Sequence, residues 1–138
     1  MTDTRVKVVH EDGDRFRADC RGHSVTMDQP VENGGSDAGM TPPELFAASI
    51  AGCIGYYVAR YCQQAGIDSS SLEIDCDWSV AEHPHRIDAM AVNVSLPGVP
   101  QNRRRAVERA ASLCLLHATL QQQPEIRITL AGEQPVAA

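Results

Sequence analysis

With 138 residues, 43% of them hydrophobic, the chain is long enough for a single domain (1–138) with a modest core, and no run of it reads as a secretory or membrane segment. Twelve basic against eighteen acidic side chains leave a formal charge of −6, which disfavours nucleic acid and anionic membrane as partners because those surfaces select basic patches. Five cysteines (20, 53, 62, 76 and 114), odd in number and irregularly spaced, argue for a reducing compartment, the cytoplasm, over a secreted disulfide framework.

Met1 to Arg5 has no apolar stretch behind it, and the next residues alternate. Arg5-Val6-Lys7-Val8, a turn at Glu11-Asp12-Gly13-Asp14, and Arg15-Phe16-Arg17-Ala18-Asp19-Cys20 make a hairpin signal. Arg21-Gly22 leads into a third strand, His23 to Asp28, and the Gly-, Pro-, Asn- and Asp-rich stretch Gln29 to Met40 reads as a loop that closes an N-terminal β region, 1–40. A helix-containing core, 41–130, follows. Thr41-Pro42-Pro43-Glu44 combines a Thr N-cap, Pro at the first helical position and Glu three residues after the cap, a capping box. The helix is expected to run to about Gln64, with Gly66 as its stop. Its interior, Leu45 through Val58, is apolar or small nearly all round and predicts burial on all sides, with Ala48, Gly52, Gly55 and Ala59 forming a small-residue stripe.

Ser71 to Val80 alternates cleanly, placing Leu72, Ile74, Cys76, Trp78 and Val80 inward. Glu82-His83-Pro84-His85 is a turn, and Met90, Val92, Val94 and Leu96 repeat the inward pattern until Pro97-Gly98-Val99-Pro100 breaks it. A second helix is expected from about Gln101 to Gln121, with Ala106, Ala110, Cys114 and Ala118 as the stripe that meets the first helix. Arg103-Arg104-Arg105 reads as its solvated start, Arg104 and Arg105 lying near Glu108. Pro124 leads to a last strand with Ile126, Ile128 and Leu130 inward, before a Pro- and Ala-containing tail, 131–138. The fold class is therefore α+β, in the order βββ-α-ββ-α-β, with two central helices against antiparallel sheet. Two cysteines, Cys53 and Cys114, sit in the two small-residue helical segments, an arrangement that points to thiol chemistry.

That order, with Gly35, the run Pro43-Glu44-Leu45-Phe46-Ala47-Ala48-Ser49-Ile50-Ala51-Gly52-Cys53 and the second run Ala110 to Leu120 around Cys114, resembles the OsmC/Ohr family of osmotically induced and organic hydroperoxide resistance proteins. The resemblance implies an OsmC-like fold made as an intertwined homodimer with sites at the interface. It also implies a thiol-dependent peroxidase that reduces organic hydroperoxides in oxidative-stress defence. Cys53 would be peroxidatic and Cys114 resolving, an external dithiol would reduce the disulfide, and no cofactor or metal is implied. The chain departs from the family pattern in three places. Pro43 stands where hydroperoxide reductases carry a glutamate that pairs with an arginine to hold the thiolate, and Leu115 follows Cys114 where many members have Pro. Glu44 lies nine residues before Cys53, about half a turn away in azimuth and about 13 Å along a helix, so its capping role is preferred. For the arginine, Arg15, Arg17 and Arg21 are all candidates. These departures place the chain in the broader OsmC-like branch, and they motivate an alternative function: a dimer of the same fold that binds a small apolar ligand between its helices without peroxidase activity.

Other candidates are weaker. Tyr57, four residues after Cys53, and His117, three after Cys114, are expected to line the pocket, with core and interface packing as the plainer roles. Cys62, nine residues after Cys53, points to the opposite side of the helix, and Cys76 reads as core. Cys20 and His23 make a C-x-x-H with no second pair at zinc spacing, and Glu82-His83-Pro84-His85 reads as a polar turn.

Overall fold

The alternating N-terminal residues close into a three-stranded antiparallel sheet, β1 (Lys7–Asp12), β2 (Arg15–Cys20) and β3 (His23–Met27), in that order. The structure is a computed structural model that describes residues 4–132 and 136–137; the sequence expectations for Met1 to Asp3 and for most of the tail lie outside the described residues. Arg21 and Gly22, both at positive φ (52° and 82°), make the two-residue turn whose twist suits a hairpin and set Cys20 opposite His23. Arg17 binds Glu11 and Asp19, each at 3.1 Å.

The loop after β3 is organised by a carboxylate. Asp28, 2% exposed, accepts hydrogen bonds from the main-chain N–H groups of Gln29 (2.8 Å), Ser36 (3.2 Å) and Ala38 (3.1 Å). The N–H groups of Ala38 and Gln29 lower its pKa most, burial opposes them, and Ser36 and the charge of Arg15 add to the lowering. Gly35 is required by close approach, since a Cβ there would overlap the Gln29 carbonyl.

α1 (Pro42–Ala65) starts as its sequence dictates: the Glu44 N–H donates to Thr41 Oγ1 at 3.3 Å and the Thr41 N–H to Glu44 Oε1 at 2.8 Å, a complete capping box. The expectation of burial all round is corrected. Ala47, Ile50, Ile54, Val58 and Cys62 form one buried stripe at spacings of three and four, whereas Ala48, Gly52 and Tyr56 are exposed. The face that looked apolar in sequence is simply not covered within one chain.

β4 (Glu73–Ala81) and β5 (Arg86–Ser95) pair through the turn expected at Glu82 to His85. Alternation holds for Ile74 and Cys76, and Met90, Val92, Val94 and Leu96 are shielded as expected, but Trp78 (37% exposed) and Val80 (49%) are not. The second helix is corrected more deeply. A 3₁₀ turn at Gln101–Arg103 leads into α2 (Arg104–Ala111), the chain leaves the helix, and α3 (Leu115–Gln121) begins anew with Cys114 as its N-cap. Among the described residues Arg104 and Arg105 form no ion pair with Glu108; Arg103 instead reaches the Tyr61 hydroxyl at 3.4 Å. The last strand shrinks to β6 (Arg127–Ile128), paired with β7 (Val136–Ala137), and Ile126, Ile128 and Leu130, expected inward, are exposed. Among the described residues no second layer covers this two-residue ladder.

The chain divides into two compact units, Met1–Ser49 with Asp77–Met90 and Ile50–Cys76 with Ala91–Ala138. Both cysteines of the predicted pair belong to the second, whose interior holds Ile50, Ile54, Val58, Cys62, Leu96, Val107, Ala110 and Cys114.

Candidate functional site

All five cysteines are thiols rather than disulfides, and their surroundings differ. Cys53 lies in the middle of α1 on a half-buried line, beside the stripe that carries the core. Cys114 is completely buried. Its backbone, at φ −54° and ψ 122°, is extended, and its sulfur accepts the His117 N–H at 3.4 Å, as an N-cap side chain does. The first N–H groups of a helix have no partner inside it. Here those of Leu115 and Leu116, together with the Cys114 thiol, favour the thiolate of Cys53.

These donors decide the ionisation of the pair. Burial is the largest influence on Cys53 and pushes its pKa up, but the N–H of Leu116, the thiol of Cys114 and the N–H of Leu115 together outweigh it and bring Cys53 below the ordinary thiol value. For Cys114 burial again comes first, the Cys53 sulfur adds to it, and the net direction is up. The two thiols titrate as a pair, the surroundings drawing Cys53 down and pushing Cys114 up.

The small-residue stripe has a different use from the one its pattern suggests. A Cβ on Gly55 would lie 2.7 Å from Cδ1 of Ile74, so this glycine admits a strand side chain, whereas a Cβ on Gly52 would meet nothing within 4 Å. Tyr57 is half-buried and stacks edge-on against Tyr56 at 5.1 Å. The His117 side chain is exposed, and the group it offers Cys114 is its main-chain N–H rather than its imidazole; the shared helix face expected for the two residues is lost because the helix starts between them. Arg15, Arg17 and Arg21 all belong to the first unit. Arg17 is committed to Glu11 and Asp19, which raise its pKa, Arg15 lies 3.6 Å from Glu11, and Arg21 sits exposed in its turn. Glu44 serves the capping box. Cys62 is fully buried and pushed up by desolvation. Among the described residues no three His, Cys, Asp or Glu side chains gather as a metal site.

The donors to Cys53 from the start of α3 were invisible in the sequence reading. Its one available signal was the residue after the second cysteine: a Pro there would have marked a helix start, and this chain has Leu115.

The fold is that of a defined class. The model of the OsmC-like protein family matches residues 34–129, and the chain belongs to that family. Solved structures agree on the fold. A Psychrobacter arcticus 273-4 protein named for osmotic stress induction and detoxification response matches with a TM-score of 0.78 at 19% identity, over 86% of this chain and 89% of its own. The OsmC-like protein of Mycoplasma pneumoniae matches with a TM-score of 0.74 at 14% identity, over 88% and 89%. The organic hydroperoxide resistance protein OsmC of Legionella pneumophila matches with a TM-score of 0.66 at 18% identity, over 88% and 92%. No curated protein sequence matches the chain.

Proposed function

We propose that this protein is a two-cysteine, thiol-dependent peroxidase that reduces organic hydroperoxides, with Cys53 peroxidatic and Cys114 resolving. What carries the reading is that Cys53 and Cys114 act on one another, the surroundings drawing the Cys53 pKa down and pushing that of Cys114 up. Family membership and a neighbour named for organic hydroperoxide resistance support it.

In the proposed cycle the Cys53 thiolate attacks the terminal oxygen of ROOH, the O–O bond breaks, and the alkoxide takes a proton to leave as ROH. Cys53 is then a sulfenic acid. The Cys114 sulfur attacks the Cys53 sulfur, an S–S bond forms, and the sulfenic oxygen leaves as water with the remaining thiol proton. An external dithiol restores both thiols by exchange and becomes a disulfide. The cycle requires no cofactor, and five thiols suit a reducing cytoplasm.

A homodimer is part of the proposal. Leu113 and Leu130 (each 66% exposed), with Leu115, Ile126 and Ile128 between them in sequence, leave more apolar surface uncovered than a lone chain carries comfortably. Light scattering behind size exclusion is expected to give twice the 14.9 kDa chain mass; a monomer at micromolar concentration would reject the dimer. α1 has the length and apolar composition of a membrane span; its one buried stripe and its capped start support a helix packed against its own chain.

The test is mass spectrometry of the reduced protein after one equivalent of cumene hydroperoxide, with peptide mapping. A Cys53–Cys114 disulfide that dithiothreitol reverses is expected, and Cys53→Ser is expected to abolish peroxide consumption. Slow, scattered oxidation across the five cysteines, with unchanged consumption in Cys53→Ser, would defeat the reading in favour of a ligand-binding dimer.

A further inference from the structure

The end of β5 and α2 border a cavity of about 150 Å³ that lies wholly within the second unit. Local sequence builds it. Leu96-Pro97-Gly98-Val99 is a tight turn, with Gly98 at φ 83° and the Val99 N–H donating to the Leu96 carbonyl at 3.4 Å, so the strand doubles back before Pro100 leads into the helix. Leu96 and Val107 are buried and Val94, Val99 and Ala111 half-buried, which gives the cavity an apolar floor. Its remaining lining is charged: Arg104 and Glu108, both exposed at the rim. Among the described residues neither of these side chains makes an ion pair or a hydrogen bond. Their four-residue spacing puts them on one helix face, about 5–6 Å apart at Cβ, with the arginine first, the weaker order for a direct pair. Neither Cys53 nor Cys114 lines this cavity.

We propose that the cavity is a binding site for a free α-amino acid with a small branched aliphatic side chain, the class of valine and leucine. The two rim charges select the head group. A carboxylate alone would be held by Arg104 and opposed by Glu108, an amine alone the reverse, and a neutral hydrocarbon would use neither. A zwitterion satisfies both, its carboxylate on the Arg104 guanidinium and its ammonium on the Glu108 carboxylate. The floor selects the side chain. An apolar cavity of about 150 Å³ admits a group the size of benzene, so an isopropyl or isobutyl group fits and an indole does not. With no aromatic residue in the lining, the contacts available are aliphatic. This site goes beyond the peroxidase reading and needs neither thiol.

The test is a titration of the reduced full-length protein, labelled with ¹⁵N, against L-valine and L-leucine, followed by amide shifts. Saturable shifts confined to the segment 94–111 are expected, with a Kd of about 1 mM or below. Isovalerate and isobutylamine, which each keep one charge, are expected to bind at least about tenfold more weakly, and glycine, which keeps both charges but no side chain, about thirtyfold. Arg104→Gln and Glu108→Gln alter exposed side chains and are expected to fold, each losing about tenfold in affinity for L-valine. Ala111→Leu, which fills the cavity from its wall, is expected to abolish binding. The absence of saturable shifts overturns the proposal, as do shifts centred away from 94–111. Isovalerate binding as tightly as L-valine, or full affinity in Glu108→Gln, overturns the zwitterion assignment. Because the readout involves no peroxide and no thiol chemistry, its failure and failure of the peroxidase reading are separable.

Discussion

Cys53 and Cys62 stand nine residues apart on one helix, and they are opposite in chemistry. Cys62 is wholly enclosed, and burial pushes its thiol up; Cys53 is half-buried, burial pushes it up as well, and yet it ends below the ordinary value. Neither gains from the start of its own helix, since both lie well inside it. What separates them is what opposes burial: the N–H of Leu116, the thiol of Cys114 and the N–H of Leu115 lower the Cys53 pKa, whereas only its own N–H works against burial at Cys62. A thiol on a buried helix becomes reactive through donors brought from another element.

The sharpest way to break this comparison is to measure both thiols in one reaction. At neutral pH iodoacetamide is expected to label Cys53 faster than Cys62 by about two orders of magnitude or more, read by peptide mass spectrometry on a short time course. Comparable rates would mean that the donors do not set reactivity. Cys62→Ser is expected to leave peroxide consumption within about twofold, against a loss of about a thousandfold in Cys53→Ser.

Oxidation should sharpen the same contrast. A sulfur engaged in a disulfide is a poorer cap than a thiol free to orient toward the His117 N–H, so oxidising the pair with diamide is expected to speed amide exchange across α3 by about tenfold, while the buried centre of α1 around Val58 and Cys62 is unaffected. Equal exchange in both redox states would show that the Cys114 cap contributes little to α3.

Asp28 extends the rule from thiols to a carboxylate. It is as enclosed as Cys62 and nevertheless held in its charged form, because three main-chain N–H groups converge on it. With its folded pKa below the usual 3.8, its contribution to stability is present above that value and lost as the pH falls through the folded pKa. Asp28→Ala is expected to lower the melting temperature by several degrees at pH 7, with the difference from the native protein shrinking in acid. A pH-independent difference would assign the effect to packing instead of charge.

The sequence was legible where a local rule and the fold agreed. The hairpin turn at Arg21-Gly22, the polar turn at Glu82 to His85 and the capping box at Thr41 and Glu44 each follow from residues adjacent in the chain, and α1 ends within a residue of its expected stop. It was illegible where the decisive partner is remote or lies outside one chain. Between Ala110 and Leu116 no Gly or Pro marks the break, so helix propensity alone carries the pattern straight through Cys114. Ile126, Ile128 and Leu130 alternate like any buried strand, but alternation predicts which face is apolar and not what covers it. The cysteine pair was therefore visible as two residues, while the main-chain groups that lower the Cys53 pKa were not, because an N–H leaves no trace in a sequence.

The smallest effect expected is also the one that separates this chain from the hydroperoxide reductase pattern it resembles. Glu44 stands one residue from the position where that pattern places a thiolate-holding glutamate, and the structure spends it on Thr41, whose main-chain N–H and hydroxyl-mediated contacts lower its pKa. Glu44→Gln keeps an acceptor for the Thr41 N–H, so it is expected to change the melting temperature by no more than about two degrees and to leave the pH profile of Cys53 alkylation unmoved. Thr41→Ala, which removes the cap itself, should cost more, about 1 kcal/mol, again without moving Cys53. If Glu44→Gln instead shifted the Cys53 profile, the carboxylate would be acting on the thiol, and the contrast between a sulfur activated by main-chain donors and one left to burial would no longer explain why these two cysteines differ.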